Sequence, residues 1–177
     1  VGRYEVGQFI VQLEESGELY AQHSEDISHS VFHSAPGSWL VVGDHEVHAK
    51  EHQGSFDIEI DEYFTCEQAQ FTALSTANGV LKFSGGFGDA DERCAEAKFE
   101  LVVCEASEGR LSFGLTAVAG ETLNYSRIRV RSNSAERIYG MGEQFTHDTL
   151  NLKGRQIAVI SEEGGVGRGH PIITAAV

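Results

Sequence analysis

The residues whose types and spacing could best support binding or catalysis lie near the C-terminal end of this chain, where glycines alternate with polar side chains. Glu143 and Gln144 follow two glycines in the run Tyr139-Gly140-Met141-Gly142. Glycine permits close backbone approach, so the neighbouring polar groups can be aimed at one point. The Glu143 carboxylate then needs a cation, which Arg155 or Arg168 could supply, or it contacts a ligand. The Gln144 amide both donates and accepts hydrogen bonds, which suits either role.

A second charged segment, residues 161–169, contains four glycines, two carboxylates and one arginine. This composition favours a loop that bends sharply and presents Glu162, Glu163 and Arg168. The planar guanidinium of Arg168 could hold a carboxylate or sulfonate through two parallel hydrogen bonds, or it could organise the loop. The glycines could also form a nest of amides for an anion, but the Lys-Ser or Lys-Thr pair of a P-loop is absent.

Three histidines, His45, His48 and His52, would share a face if they lay on a helix, and they could then bind zinc. The flanking pairs Gly43-Asp44 and Gln53-Gly54 favour a strand or turn instead. A strand sends positions 45 and 48 to opposite faces. We therefore assign no metal ligands and keep a metal-binding interaction protein as an alternative function.

Two groups of charged residues have structural interpretations. An acidic group resembles part of a calcium loop but lacks the remaining ligand positions, which favours a solvated turn; it consists of Asp89, Asp91 and Glu92. A basic row is opposite in sign to an acidic row on another predicted strand, which predicts cross-strand charge pairing if the strands are neighbours. These rows are Arg127, Arg129 and Arg131, against Asp57, Glu59 and Asp61.

The elements that position these residues are predicted to be strands. In the run 56–61, Phe-Asp-Ile-Glu-Ile-Asp, apolar side chains fall on one face and acids on the other, as a half-buried strand requires. Asn78-Gly79 is the strongest turn signal because both residues tolerate the positive φ of a tight hairpin. Only residues 88–97 could hold a short helix. The remaining predicted strands are 8–13, 39–42, 69–74, 80–83, 98–103, 111–115, 125–131 and 156–160.

Short strands separated by frequent turns predict an all-β fold, an antiparallel β-sandwich or barrel. We find no linker or internal repeat and predict one domain over residues 1–177. A formal net charge of -14 repels phosphate backbones and anionic lipids, so we expect neither nucleic-acid nor membrane partners. No apolar run approaches the roughly 20 residues that span a bilayer.

The three cysteines, Cys66, Cys94 and Cys104, are an odd and sparse set, unlike a disulfide framework. We expect reduced thiols and a cytoplasmic protein. A single Cys94–Cys104 bridge in a periplasm stays open as the alternative, since the sequence does not fix cysteine geometry.

The run 136–169 resembles glycoside hydrolase family 31. The resemblance is carried by Tyr139-Gly140-x-Gly142-Glu143, by Asn151-Leu152-Lys153-Gly154-Arg155 and by the loop 161–169, within 34 of the 177 positions. In the family, a Tyr-Gly-x-Gly-Glu strand end, an Asn- or Asp-Leu-Lys-Gly-Arg-type turn and a following loop close the N-terminal β-sandwich. Gln144 and the Ser-Glu-Glu-Gly start of the loop are most similar to the sulfoquinovosidase branch of α-glycosidases. Gly164-Gly165 departs from that branch by one added residue.

The resemblance implies a galactose-mutarotase-like β-sandwich without catalytic residues and without a cofactor. It implies a structural motif formed by Tyr139, Gly140, Gly142, Glu143, Gly154 and Arg155. It also implies that one set of side chains borders the sugar pocket of the intact enzyme: Gln144, Glu162, Glu163 and Arg168.

The catalytic part of such an enzyme is expected elsewhere. A retaining glycosidase holds a nucleophilic carboxylate and an acid/base carboxylate roughly 5 Å apart, on a (β/α)8 barrel of roughly 250 residues. This chain has 177 residues and little helical periodicity, so we expect it to lack the barrel, to stop before the last strands of its sandwich and to be inactive alone. The expected partners are the barrel of the same enzyme and an α-glycoside. Unpaired strand edges would also favour homo-oligomers.

A stand-alone carbohydrate-binding module is the other alternative function. Such a module needs aromatic rings exposed on one face of a sandwich, where sugars can stack. The candidates in the sequence are Trp39, Tyr63, Phe64 and Tyr139.

Overall fold

The computed structural model describes residues 2–52, 55–118, 123–139, 151, 153, 156–159 and 173–176. The described residues form antiparallel strands and one short helix, so the predicted all-β antiparallel fold is confirmed. The chain divides into two compact units, Val1–Arg131 and Ser132–Val177.

The elements follow one another along the chain with short connections. The helix α1 is Glu92–Ala95, between β8 and β9. In chain order the strands are β1 Gly2–Val6, β2 Phe9–Leu13, β3 Leu19–His23, β4 Asp26–His33, β5 Leu40–His52, β6 Ser55–Cys66, β7 Ala69–Ala77, β8 Val80–Phe87, β9 Lys98–Ser107, β10 Arg110–Val118, β11 Tyr125–Ile128, β12 Gln156–Val159 and β13 Ile173–Ala176.

Three sheets build the first unit. Two of them are four-stranded meanders, with strand orders β1-β2-β3-β4 and β10-β9-β8-β7, and the third has the order β11-β5-β6. The predicted Asn78-Gly79 hairpin is confirmed: the two residues have φ of 51° and 75°, and they connect the paired residues Ala77 and Val80. These positive angles match the right-handed twist of the flanking strands.

The segment after Asn124 connects two of these sheets. Tyr125–Ile128 pairs with β5, where Ile128 lies opposite Leu40. The next residues change partner: Val130 bridges to Ser34, and the Arg131 amide donates to the His33 carbonyl at 2.7 Å. The predicted strand 125–131 is therefore correct in position but is divided between two neighbours.

All three sheets contribute to one core. Leu19, Val42 and Phe83 come from different sheets, and each is completely buried. Trp39 lies 2% exposed with its ring stacked on Phe71 at a centroid distance of 6.0 Å. Continuous burial of this kind explains why the apolar runs of the sequence form strands that pack on one another.

Positions within the β10-β9-β8-β7 sheet differ in how much space surrounds the backbone. At Gly85 in β8, a Cβ atom would lie 2.1 Å from the Gln70 carbonyl oxygen and 2.6 Å from the Phe99 ring. Only glycine therefore fits this position in the buried part of β8. At Gly114 in β10, a Cβ atom would meet no atom within 4 Å.

The second unit is described in less of its length. Its two strands, β12 and β13, form an antiparallel pair with Gln156 opposite Ala176 and Val159 opposite Ile173. The predicted strand 156–160 is confirmed over 156–159. The strands β1, β3, β4 and β13 were not predicted from the sequence.

Candidate functional site

The side chain of Asn151 connects the two motif segments of the second unit. Its Oδ1 accepts a hydrogen bond from the Ile138 amide at 3.0 Å and another from the Lys153 amide at 3.3 Å. The second bond spans two residues and is typical of an Asx turn. The residue before Tyr139 is therefore held against the turn that begins the Asn-Leu-Lys-Gly-Arg motif.

Lys153 and Glu136 hold the chain that leads into this connection. The Lys153 ammonium donates to the Ser132 hydroxyl at 2.7 Å and to the Asn133 carbonyl. The Glu136 carboxylate accepts from the amide of Asn133 at 3.1 Å and from its side-chain nitrogen at 3.0 Å. A hydrogen bond from the Ser132 hydroxyl is the main cause that lowers the pKa of Glu136. Two charged side chains, Lys153 and Glu136, therefore hold Ser132 and Asn133 in place through hydrogen bonds.

Most residues of the predicted motif and pocket border lie outside the described residues. Tyr139 is described and is 62% exposed. The ion pair predicted for Glu143 and the sugar-pocket role of the loop stay predictions. The residues outside the described part are Gly140, Gly142, Glu143, Gln144, Gly154, Arg155, Glu162, Glu163 and Arg168.

In the first unit, Glu67 lies between two arginines of the predicted basic row. Its Oε1 accepts from Arg129 Nη2 at 3.1 Å and from Arg127 Nη2 at 3.5 Å. Arg129 also donates through Nη1 to the Ser38 carbonyl at 2.6 Å. All three charged side chains are about one third exposed. The cluster therefore ties the segment after β6 to the segment before β5.

The condition for pairing the basic row with Asp57, Glu59 and Asp61, that the two strands are neighbours, is not met. The physical reason is sheet order: β11 lies on one side of β5 and the acidic strand β6 lies on the other. Arg131 pairs instead with Glu18 at 3.2 Å. On β5, Lys50 lies 3.8 Å from Glu59, and His48 lies 3.2 Å from Asp61.

The acidic group at 89–92 organises a loop and is more than the solvated turn that was predicted. The half-buried Asp89 carboxylate accepts from the amides of Glu67, at 3.0 Å, and Gln68, at 2.9 Å. Asp91 is the N-cap of α1. Hydrogen bonds from the Arg93 side chain and amide lower the pKa of Asp91 to about 2. The signal that could have revealed this cap is Asp91 directly before a short helical segment.

The expected cysteine chemistry is wrong. Cys66, the last residue of β6, forms a disulfide with Cys94 of α1, and both are completely buried. Cys104 on β9 is free and half-buried. The predicted Cys94–Cys104 alternative fails because α1 packs its Cys94 toward the end of β6, where the Cα atoms of the bonded pair are 5.5 Å apart.

The three histidines lie on β5, as the flanking residues predicted. The His45 ring packs edge-on against Tyr125 at a centroid distance of 4.7 Å, whereas His48 faces Asp61. Within the described ranges, no group of three or more His, Cys, Asp or Glu side chains is arranged to hold a metal ion. Only the backbone of His52 is described.

The aromatic candidates for a sugar platform do not form one surface. Trp39 belongs to the core, where its indole N–H donates to the Gly17 carbonyl at 2.7 Å. The Phe64 ring is covered by Arg93, whose guanidinium carbon lies 4.2 Å from the ring centroid. Tyr63 is 53% exposed and donates its hydroxyl to Glu46. Trp39 and Phe64 are therefore wrong as exposed platform residues.

Within the described ranges, no helix is long and apolar enough to cross a membrane.

Comparison with known proteins gives no family assignment. No protein-family model matches the chain, and no curated protein matches it.

Proposed function

We propose that this chain is the N-terminal β-sandwich of a family 31 α-glycosidase of the sulfoquinovosidase-like branch, with galactose-mutarotase-like architecture. In this proposal it packs on the catalytic barrel of the same enzyme and borders its sugar pocket with Gln144, Glu162, Glu163 and Arg168. The two carboxylates of retaining hydrolysis belong to the barrel. The antiparallel all-β fold supports the architecture.

The observation that carries the proposal is the Asn151 connection. Asn151, which starts one of the motifs that carry the family resemblance, accepts through its side-chain Oδ1 from the amide of Ile138, 13 positions earlier and directly before the other motif. A side chain that satisfies two backbone donors fixes the positions of Ile138 and Lys153 relative to each other. In the proposal, this connection orients the segment that carries Gln144 toward the sugar.

The buried disulfide bears on where this enzyme works. Structural disulfides form and persist in oxidising compartments such as the periplasm, and they are rare in the cytosol. Because Cys66 and Cys94 are bonded in the core, the proposal places the protein in a periplasm or another oxidising compartment instead of the cytoplasm that we expected.

The proposal is tested on the product of the whole reading frame that encodes this chain. We expect that product to hydrolyse 4-nitrophenyl α-glycosides, with the sulfoquinovoside preferred over the glucoside, and to release the α-anomer first in proton NMR spectra. The chain 1–177 alone should release no nitrophenol. A reading frame without a (β/α)8 barrel, or a product with no α-glycosidase activity, would refute the proposal.

Two matched variants of the whole enzyme test the Asn151 connection. Asn151→Ala removes the acceptor of two amides, and the resulting shift of a pocket wall should lower kcat/KM about tenfold to a hundredfold. Asn151→Asp keeps an acceptor oxygen and should retain most of the activity. Equal activity of the alanine variant and the natural enzyme would contradict the positioning role.

A further inference from the structure

A groove crosses the outer face of the β1–β4 sheet and contains no residue of the family motifs. It has a volume of about 740 Å³, within the range of roughly 300–1,000 Å³ that small-molecule sites occupy. We call it the β2–β4 groove and define it by Gln12, Glu14, Glu15, Glu18, Tyr20, His33 and Arg131. All seven residues belong to the first unit.

The floor of the β2–β4 groove is a row of side chains across three strands. Gln12 lies opposite Tyr20, and Tyr20 lies opposite His33. The Tyr20 and His33 rings meet edge to face at a centroid distance of 5.1 Å. Cross-strand neighbours of this kind fix each other's position, so the floor presents aromatic carbon beside an amide.

Hydrogen-bonding groups form the wall of the groove. Arg131 Nη2 donates to Glu18 Oε1 at 3.2 Å, and the Glu18 side chain is only 20% exposed. Gln12 Nε2 donates to Glu14 Oε1 at 2.5 Å. The Arg131 amide is fixed to the His33 carbonyl. The wall thus places donors and acceptors around the aromatic floor before any ligand binds.

The composition of the lining limits the class of ligand. Among the described residues, the lining includes no aliphatic side chain, so a purely apolar ligand would leave polar groups unpaired. The lining contains three glutamates, Glu14, Glu15 and Glu18, and one arginine, Arg131, so the formal charge of the groove is -2. Burial, and then the charge of Arg131, lower the pKa of His33 and keep its ring neutral at pH 7. Anionic ligands are therefore repelled.

We propose that the β2–β4 groove binds a polyhydroxylated ligand that carries an ammonium group, the chemistry of an amino sugar. The hydroxyls exchange hydrogen bonds with Gln12, Glu18 and Arg131, the ring carbons pack on Tyr20, and the ammonium lies near Glu14. None of the residues of this site belongs to the proposed border of the sugar pocket, and the proposal does not rest on that function. It also predicts discrimination against sulfonated sugars at this position.

The test is a titration of the isotopically labelled chain followed by amide NMR shifts, with three sugars as probes. D-Glucosamine should cause saturable shifts at the amides of Gln12, Tyr20 and His33. D-Glucose should bind several-fold more weakly because it lacks the ammonium, and D-glucose 6-sulfate should not bind. Saturable binding of the sulfate, or no saturable shift with glucosamine, would refute the proposal.

Variants and one further probe separate this site from general attraction of cations. Glu14→Gln removes one exposed charge and should weaken glucosamine binding about fivefold, from the Coulomb attraction of one charge at about 4 Å in water. Glu108→Gln removes an exposed charge at the β9–β10 turn and should change nothing. Ethanolamine, an amine without the sugar ring, should bind much more weakly than glucosamine. Equal weakening by both variants, or equal binding of ethanolamine, would refute the site.

Discussion

Removal of the Cys66–Cys94 disulfide should cost much of the stability of the first unit. The bond closes a loop with a sequence separation of 28 between the end of β6 and α1. Loop-closure entropy for this length gives about 12 cal/mol/K, or about 3.6 kcal/mol at 25 °C, by which the bond disfavours the unfolded chain. A single domain is commonly stable by only about 5–15 kcal/mol. The bond would therefore provide a large share of the total.

Thermal unfolding with and without a reductant measures this contribution. For a chain of this size, 1 kcal/mol corresponds to about 2–4 °C in Tm. Complete reduction should therefore lower Tm by about 7–14 °C, and the Cys66→Ala/Cys94→Ala double variant should fall at least as far because it also leaves a small cavity in the core. Cys104→Ala is the matched control: its thiol is free and half-buried, so the reductant should lower the Tm of this variant by the same amount.

Thiol counting provides an independent check. Iodoacetamide added to the denatured, unreduced chain should modify Cys104 alone, and after reduction it should modify all three cysteines. Modification of three thiols before reduction would show that the bond does not form. A Tm that changes by less than about 2 °C after confirmed reduction would show that the loop-entropy argument fails for this fold.

Three further predictions concern the core and one cap. Gly85→Ala should destabilise the chain by about 1–3 kcal/mol in urea unfolding, because its Cβ would overlap a carbonyl oxygen of β7. Gly114→Ala, which has open space around it, should be neutral or stabilise the chain by about 0.5 kcal/mol. Equal losses of stability in the two variants would contradict the tight packing at Gly85. Trp39→Phe should cost about 2–3 kcal/mol by urea unfolding through lost volume and a lost indole hydrogen bond; a loss below about 1 kcal/mol would be too small for a buried, bonded indole. By NMR, the Asp91 carboxyl should titrate at about 2 and should move up toward 3.8 in Arg93→Ala; an unchanged midpoint would exclude the guanidinium as the cause.

The strands that alternate polar and apolar residues could be predicted because each carries its own signal. In the run 56–61 every second residue is apolar, and the structure places that run inside β6. β4 has no such pattern: Asp26–Ser30 are all exposed, and Ile27 is 65% exposed. An edge strand exposed on both faces requires no alternation, so its sequence resembles a loop.

The contacts of the candidate sites were less predictable because they join residues far apart in the chain. Glu67 meets Arg129 across 62 positions, and Arg131 meets Glu18 across 113. The sign of a charge is local information, whereas its partner depends on strand order. Alternating arginines predicted a strand here, but they could not show that Val130 would be more exposed than Arg129, or that β5 would separate this strand from the acidic strand β6.

The Trp39 interpretation failed for a related reason. A single tryptophan before an apolar run fits an exposed aromatic as well as a core residue, since the indole has an apolar body and one polar atom. The outcome depends on whether a carbonyl lies within reach of its N–H once the ring is buried. Here Gly17, whose φ of 83° turns the chain between β2 and β3, supplies that carbonyl at 2.7 Å. A turn glycine 22 positions earlier therefore allows the ring to enter the core.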